Sequence, residues 1–210
     1  MQSDDATLVE PLENDLLRAS FATDTPSQAL LLAQVDSKIL HHHVLALRGL
    51  TRRSLMTPVL WRQSLKDGDV EILREALQLF AHVEENDPSV LSDVVTLLSD
   101  EDALVVDGAA FALGEHLFNG AVVELCEVAS NHEDARCRES AIAALGSIGD
   151  DRARSTILNA LNDKPAIRRR AIVALSNFDG PDIEAALVEA GEDRDWQVRS
   201  AVTQLRNQED

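Results

Sequence analysis

The feature that most restricts this chain is a repeat. An alanine followed four residues later by a large apolar residue recurs: Ala46 with Leu50, Ala76 with Phe80, Ala109 with Leu113, Ala141 with Leu145, Ala171 with Leu175 and Ala201 with Leu205. The steps between units are 30, 33, 32, 30 and 30 residues. The residue after each alanine is apolar or small, and Ile72, Val105, Cys137 and Ile167 stand four residues before theirs. Positions −4, 0, +1 and +4 share one face of an α-helix. A small residue in the middle of that face lets a neighbouring helix approach closely. Leucine at Ala141 or Ala171 would overpack the contact, at roughly 1–3 kcal/mol.

Between these helices the pattern predicts a second set, over residues 58–66, 88–99, 121–130, 151–162 and 181–190, each with its own apolar stripe. The prolines support the boundaries, because a proline in a helix's first turn loses no hydrogen bond. Thr25-Pro26, Thr57-Pro58 and Asp87-Pro88 join a capping residue to such a proline; Gly180-Pro181 does so more weakly. Pro11 is expected to start the first helix, and Pro165 follows the Asp163 cap by two. No stretch alternates with period two. The expectation is an all-α chain of about thirteen short helices. A helical hairpin with two apolar sides cannot bury both alone, whereas stacked hairpins share one continuous core. Residues 1–36 fit the repeat poorly and read as an N-terminal helical cap; residues 37–210 read as one repeat domain.

Composition limits the surface. Apolar residues make up 45% of the 210, enough for a core, and charged residues 27%, too few for wholesale disorder. Nineteen lysines and arginines against 37 acids give a net charge of −18, which disfavours nucleic acid and anionic membranes. With no tyrosine and only 3% aromatics, a stacking platform for single strands is hard to build. No apolar run is long enough to span a bilayer, and no basic-then-apolar leader is seen. Two cysteines, Cys126 and Cys137, read as small buried side chains in a reduced, cytoplasmic protein, although they could meet between neighbouring helices. The charge is uneven. Residues 75–134 hold fourteen acids and no lysine or arginine, whereas residues 136–206 hold eleven of each sign. Acidity with few lysines also suits adaptation to high salt, a cause unrelated to binding.

On these residues the chain resembles the HEAT family, in its short form named after phycobilisome lyases. The family pattern is a turn aspartate, Val-Arg, then an Ala-Leu helix. It stands here as DARCRESAIAALG (134–146), DKPAIRRRAIVAL (163–175) and DWQVRSAVTQL (195–205). DALVVDGAAFALG (102–114) keeps the apolar pattern but has Val106 where arginine is expected. The resemblance implies an α-α superhelix, a right-handed solenoid of antiparallel helix pairs, with the Ala-Leu helices on the concave side. It also implies that Arg138, Arg168 and Arg199 tie to turn aspartates of adjacent repeats. It says little about activity, because members range from scaffolds to enzymes.

If positions −4, 0, +1 and +4 form the core, then −2, +2 and +6 face the groove. The candidate partner-binding residues are Arg74, Gln78, Asp107, Phe111, Glu115, Glu139, Arg169, Val173 and Arg199. The groove is expected to be negative around Asp107, Glu115 and Glu139 and positive at Arg169 and Arg199. Phe111 either supplies an apolar anchor or turns inward beside Ala110. Trp196 is either a lid on the end of the stack or a contact for a second chain. Carboxylates beside an exposed aromatic suit a basic or amphipathic protein segment.

Chemical motifs are few. His41, His42 and His43 are consecutive, so a helix points them in different directions and they cannot share one metal. They are expected to be solvated or interfacial. The repeated His-Glu pairs of di-iron HEAT hydroxylases are missing, since His132-Glu133 stands alone. The basic groove of HEAT-type DNA glycosylases is missing too. No nucleophilic constellation or phosphate loop is seen. The expectation is a non-enzymatic interaction scaffold or adaptor with no cofactor and no metal. The alternative is a lyase-type accessory subunit or chaperone. The oligomeric state is left open.

Overall fold

The computed structural model describes residues 6–84 and 87–209. Among them the backbone forms thirteen α-helices and no strand. These are α1 (Ala6–Ala19), α2 (Thr25–Gln34), α3 (Leu40–Arg52), α4 (Pro58–Ser64), α5 (Val70–Phe80), α6 (Pro88–Thr96), α7 (Ala103–Glu115), α8 (Val122–Asn131), α9 (Ala135–Ile148), α10 (Arg154–Asn159), α11 (Pro165–Leu175), α12 (Pro181–Ala190) and α13 (Trp196–Glu209). Single 3-10 turns follow α6, precede α8 and flank α10.

Side-chain caps set the helix starts. Thr57 Oγ1 accepts from the Leu60 N–H at 3.3 Å, and Asp87 Oδ1 from the Ser89 N–H at 2.8 Å. In α2 the cap is Asp24, which accepts from the Ser27 N–H, so Thr25 is already helical and Pro26 is second. Pro11 does not start α1. The helix begins at Ala6 and runs through the proline, which removes one backbone hydrogen bond near the N-terminal end.

The alanine column is the core. Ala46, Ala76, Ala109, Ala141 and Ala171 are fully buried, and Ala201 nearly so. Leu50, Phe80, Leu113, Leu145 and Leu175 are buried beside them, while Leu205 in the last helix is half-buried. The described residues are thus all-helical, in the fold class the repeat predicts.

By its contacts the chain divides into two compact units, residues 1–90 and 91–210. In the first, α3 packs on α1, α2 and α5, and α4 packs on α5. Leu16, Leu31 and Val35 share a cluster with Leu47, Leu50 and Ile72. Trp61 is buried edge-on against Phe80, with ring centroids 5.3 Å apart and planes at 73°. The histidine run corrects an expectation. His41 is exposed, but His42 and His43 are buried, because they occupy the third and fourth positions after the start of α3 and face its neighbours. Neither Nε2 has a hydrogen-bond partner.

In the second unit, α7, α9, α11 and α13 pack in succession as one layer, and α8, α10 and α12 form the layer behind. The front layer is held close by glycine. A Cβ on Gly114 would lie 2.8 Å from the Ala144 Cα, and one on Gly146 would lie 2.7 Å from the Ala174 Cα. Helix backbones meet there, so only a residue without a side chain fits. Cys137 is buried with its thiol on the Ala103 carbonyl, and burial pushes its pKa up to about 11. Cys126 is half-buried, and both cysteines are free thiols.

Candidate partner-binding face

The turns before the front-layer helices fix their rotation. The turns before α5, α7 and α13 use a carboxylate pair two residues apart. Asp67 accepts from the Asp69 N–H and Asp69 from the Glu71 N–H, both at 2.8 Å. Asp100 and Asp102 repeat this before α7, and Asp193 and Asp195 before α13. Before α9 the first position is His132, whose Nδ1 accepts from the Asp134 N–H at 3.0 Å.

The arginines lock onto these turns. Arg138 donates two bonds to the Asp163 carboxylate, at 2.8 and 2.9 Å, and a third to the His132 carbonyl. Arg168 does the same with Asp193, at 2.8 and 2.7 Å, and with the Asp163 carbonyl. The Arg168–Asp193 pair is nearly buried, with side chains 6% and 15% exposed. Paired guanidinium bonds hold the Asp163 and Asp193 carboxyls below their ordinary pKa, against the opposing effect of burial. The Arg138 and Arg168 rungs are therefore structural, as the resemblance implies, whereas Arg199 donates to the backbone carbonyl of Asp193 in its own turn. The rung is missing where Val106 replaces arginine, and His132 replaces aspartate at that same step. Both charges are absent together.

With the helices so fixed, the outward residues of the second unit gather in two depressions. The first, of about 280 Å³, lies between α7 and α9 and is lined by Phe111, Glu115, Glu139, Ser147 and Arg170. Phe111 is 45% exposed, so its ring faces outward. The second, of about 300 Å³, lies between α11 and α13 and is lined by Arg169, Arg170, Val173, Trp196, Gln197 and Gln204. Val173 is 52% exposed and Trp196 66%.

Other candidates stand differently. Asp107 is half-buried and accepts a hydrogen bond from the Ser140 hydroxyl. Arg74 and Gln78 belong to the first unit, where Arg74 pairs with Glu71 at 3.0 Å. Arg199 is exposed but held at the turn edge. Its capping residue, Asp195, stands six residues before Ala201, whereas Asp134 and Lys164 stand seven before Ala141 and Ala171. That one-residue slip puts Arg199 on the turn, where it donates to the Asp193 carbonyl at 2.7 Å. Val198 and Val202 take the core positions instead.

Sequence reading missed the residue just before the alanine. Ser140 reaches back to Asp107, Arg170 to Glu139 at 3.6 Å, and Glu75 to Arg48 at 2.7 Å. The signal was available, because −1 lies beside −2 on the helix surface and turns toward the preceding repeat. No group of three or more metal-ligating side chains occurs among the described residues. No helix among them is long and apolar enough to cross a membrane.

Layered helix pairs joined by a turn ladder define a repeat solenoid, and the comparisons agree. Residues 122–206, from α8 into α13, match the family model described as HEAT repeats. No curated protein matches the sequence. Solved structures match by fold. The CpcE–CpcF complex of phycocyanin lyase from Nostoc sp. PCC7120 matches at 18% identity and TM-score 0.62, over 86% of this chain and 75% of that one. YibA of Escherichia coli matches at 16% and 0.61, over 96% and 74%. A designed armadillo repeat protein in complex with the peptide (KR)4 matches at 14% and 0.57, over 93% and 98%.

Proposed function

We propose that this protein is a non-enzymatic interaction scaffold or adaptor that takes a basic or amphipathic protein segment on the outward face of α7, α9 and α11. One observation carries the reading: a half-exposed phenylalanine, Phe111, lines the same depression as the carboxylates Glu115 and Glu139. The carboxylates steer and orient a basic segment, and the ring gives an apolar side chain somewhere to dock. Asp107 supports the face from behind through Ser140. A repeat protein of the same fold in complex with a (KR)4 peptide lends the reading support.

Net negative charge alone would attract any cation, so the test compares two equal charge changes. Glu115→Lys with Glu139→Lys alters the front layer. Glu124→Lys with Glu127→Lys alters exposed acids of α8 in the layer behind. The first pair is expected to weaken binding of a labelled (Lys-Arg)4 peptide at least about tenfold and to flatten its salt dependence. The second pair is expected to change it less than about threefold. Equal losses would remove the α7–α9 face from consideration.

The second reading is a lyase-type accessory subunit or chaperone, favoured by the likeness in fold to the CpcE–CpcF complex. It predicts that protein purified from its native host carries absorbance beyond the aromatic band. A spectrum with only the aromatic band speaks against it.

A further inference from the structure

The face proposed above is split by charge. Arg170 lines both depressions: it stands 3.6 Å from Glu139 on one side and beside Arg169 on the other. Beyond it the lining changes. Between α7 and α9 are Glu115 and Glu139 around Phe111. Between α11 and α13 no carboxylate lines the depression; the charged side chains are Arg169 and Arg170, with the amides of Gln197 and Gln204 and the apolar surfaces of Val173 and Trp196. Arg168, the remaining arginine of that run, is held by Asp193 on the turn edge. Arg169, with Arg170 shared between this depression and Glu139, thus makes a local positive patch on a chain of net charge −18. A uniformly basic segment would be repelled there.

Resting on the proposed peptide-binding role, we infer that the occupant of this face is a charge-divided extended segment: basic residues over α7–α9, then an acidic stretch with one large apolar side chain over α11–α13. Carboxylates of the acidic stretch meet Arg169 and Arg170, and its apolar side chain rests on the Trp196 indole and Val173. Guanidinium groups suit carboxylates because they offer paired donors in one plane. The depressions lie two helix spacings apart, about 18 Å for packed helices. An extended chain covers that in about five or six residues. The whole segment is therefore about eight to ten residues long, with its change of sign near the middle, above Arg170.

The test uses the full chain and two labelled peptides of equal length, followed by fluorescence anisotropy. One is Lys/Arg throughout. The other has a basic half, then an acidic half containing one leucine. The divided peptide is expected to bind at least about tenfold more tightly. Arg169→Glu is expected to abolish that advantage and leave the uniform peptide bound as well or better. Trp196→Ala is expected to weaken the divided peptide several-fold and the uniform one little. Trp196 is exposed and Arg169 half-buried, and melting curves confirm folding of both variants. If the uniform peptide binds equally well or better, or if neither substitution affects the divided one, the charge-divided segment is wrong while the basic-segment reading stands. If neither peptide binds, the basic-segment reading has failed, and this inference fails with it.

Discussion

The two units share one helical register but are held together by different means. The first buries large side chains: Trp61 edge-on against Phe80, with Leu16, Leu31 and Leu47 completing the core, and two histidines among them. Its Gly49 faces the side-chain ends of Ser20 and Leu31, not a helix backbone. The second unit brings backbones together at Gly114 and Gly146 and ties successive turns with Arg138–Asp163 and Arg168–Asp193. The same alanine column thus supports two ways of fixing a repeat. Packing of large side chains tolerates variation in shape. Close backbone contact with a charge ladder fixes the rotation of each helix, and with it the direction of every outward residue. The charge-divided face lies in the second unit, where that rotation is fixed most tightly.

The largest expected effect is on the ladder. Arg168→Ala leaves the Asp193 carboxylate nearly buried without its partner and should destabilise the second unit by about 3–5 kcal/mol. A denaturant melt with unit-resolved hydrogen exchange would read it. A loss below about 1 kcal/mol would mean the ladder is ornamental. Next come the glycines. Gly146→Ala forces a Cβ against the Ala174 backbone and should cost about 1–3 kcal/mol. Gly49→Ala presses on the flexible ends of Leu31 and Ser20 and should cost less. Equal costs would erase the distinction between the units.

The interrupted step sharpens the comparison. Val106→Arg alone buries an unpaired charge and should destabilise. Adding His132→Asp should recover part of the loss, with a coupling of about 1 kcal/mol in a double-mutant cycle. Additive losses would show that position 132 does not complete the ladder.

The smallest expected difference is in pH dependence. Burial holds His43 below its ordinary pKa of 6.5, only partly opposed by the carboxylates of Asp67, Asp36 and Asp69. Its contribution is complete above about pH 6.5 and is lost as pH falls toward the folded value, because the unfolded chain takes up the proton first. Arginine partners hold Asp163 and Asp193 below 3.8. Their contribution is present above about pH 3.8 and lost only as pH falls further. Hydrogen exchange on acidification should therefore rise first in α3 and later around α9–α13. The reverse order would contradict both assignments.

Much of this was legible in the sequence because it is local. The alanine column, the capping residues before α4 and α6, and the turn arginines follow from spacing within one repeat. The rest depends on what the neighbouring repeat supplies. Arg170 and Ser140 matter because Glu139 and Asp107 stand opposite, a pairing no single helix displays. His41, His42 and His43 read as solvated or interfacial; burial of His42 and His43 follows from the packing of α3 on several sides. Arg199 sits at the turn because the alanine column slips by one against the cap in α13, a shift that depends on the turn and not on spacing within the helix. Pro11 was misread because one missing N–H does not stop a helix near its start.

The most direct test of the binding face is a footprint of the divided peptide by NMR on the isotopically labelled full chain. Amide shifts are expected to cluster at Phe111, Gly114, Ala143 and Ser147 for the basic half, and at Val173, Gln197 and Gln204 for the acidic half. Shifts centred on Glu124 and Glu127 of α8, or spread evenly over every acidic helix, would contradict the account.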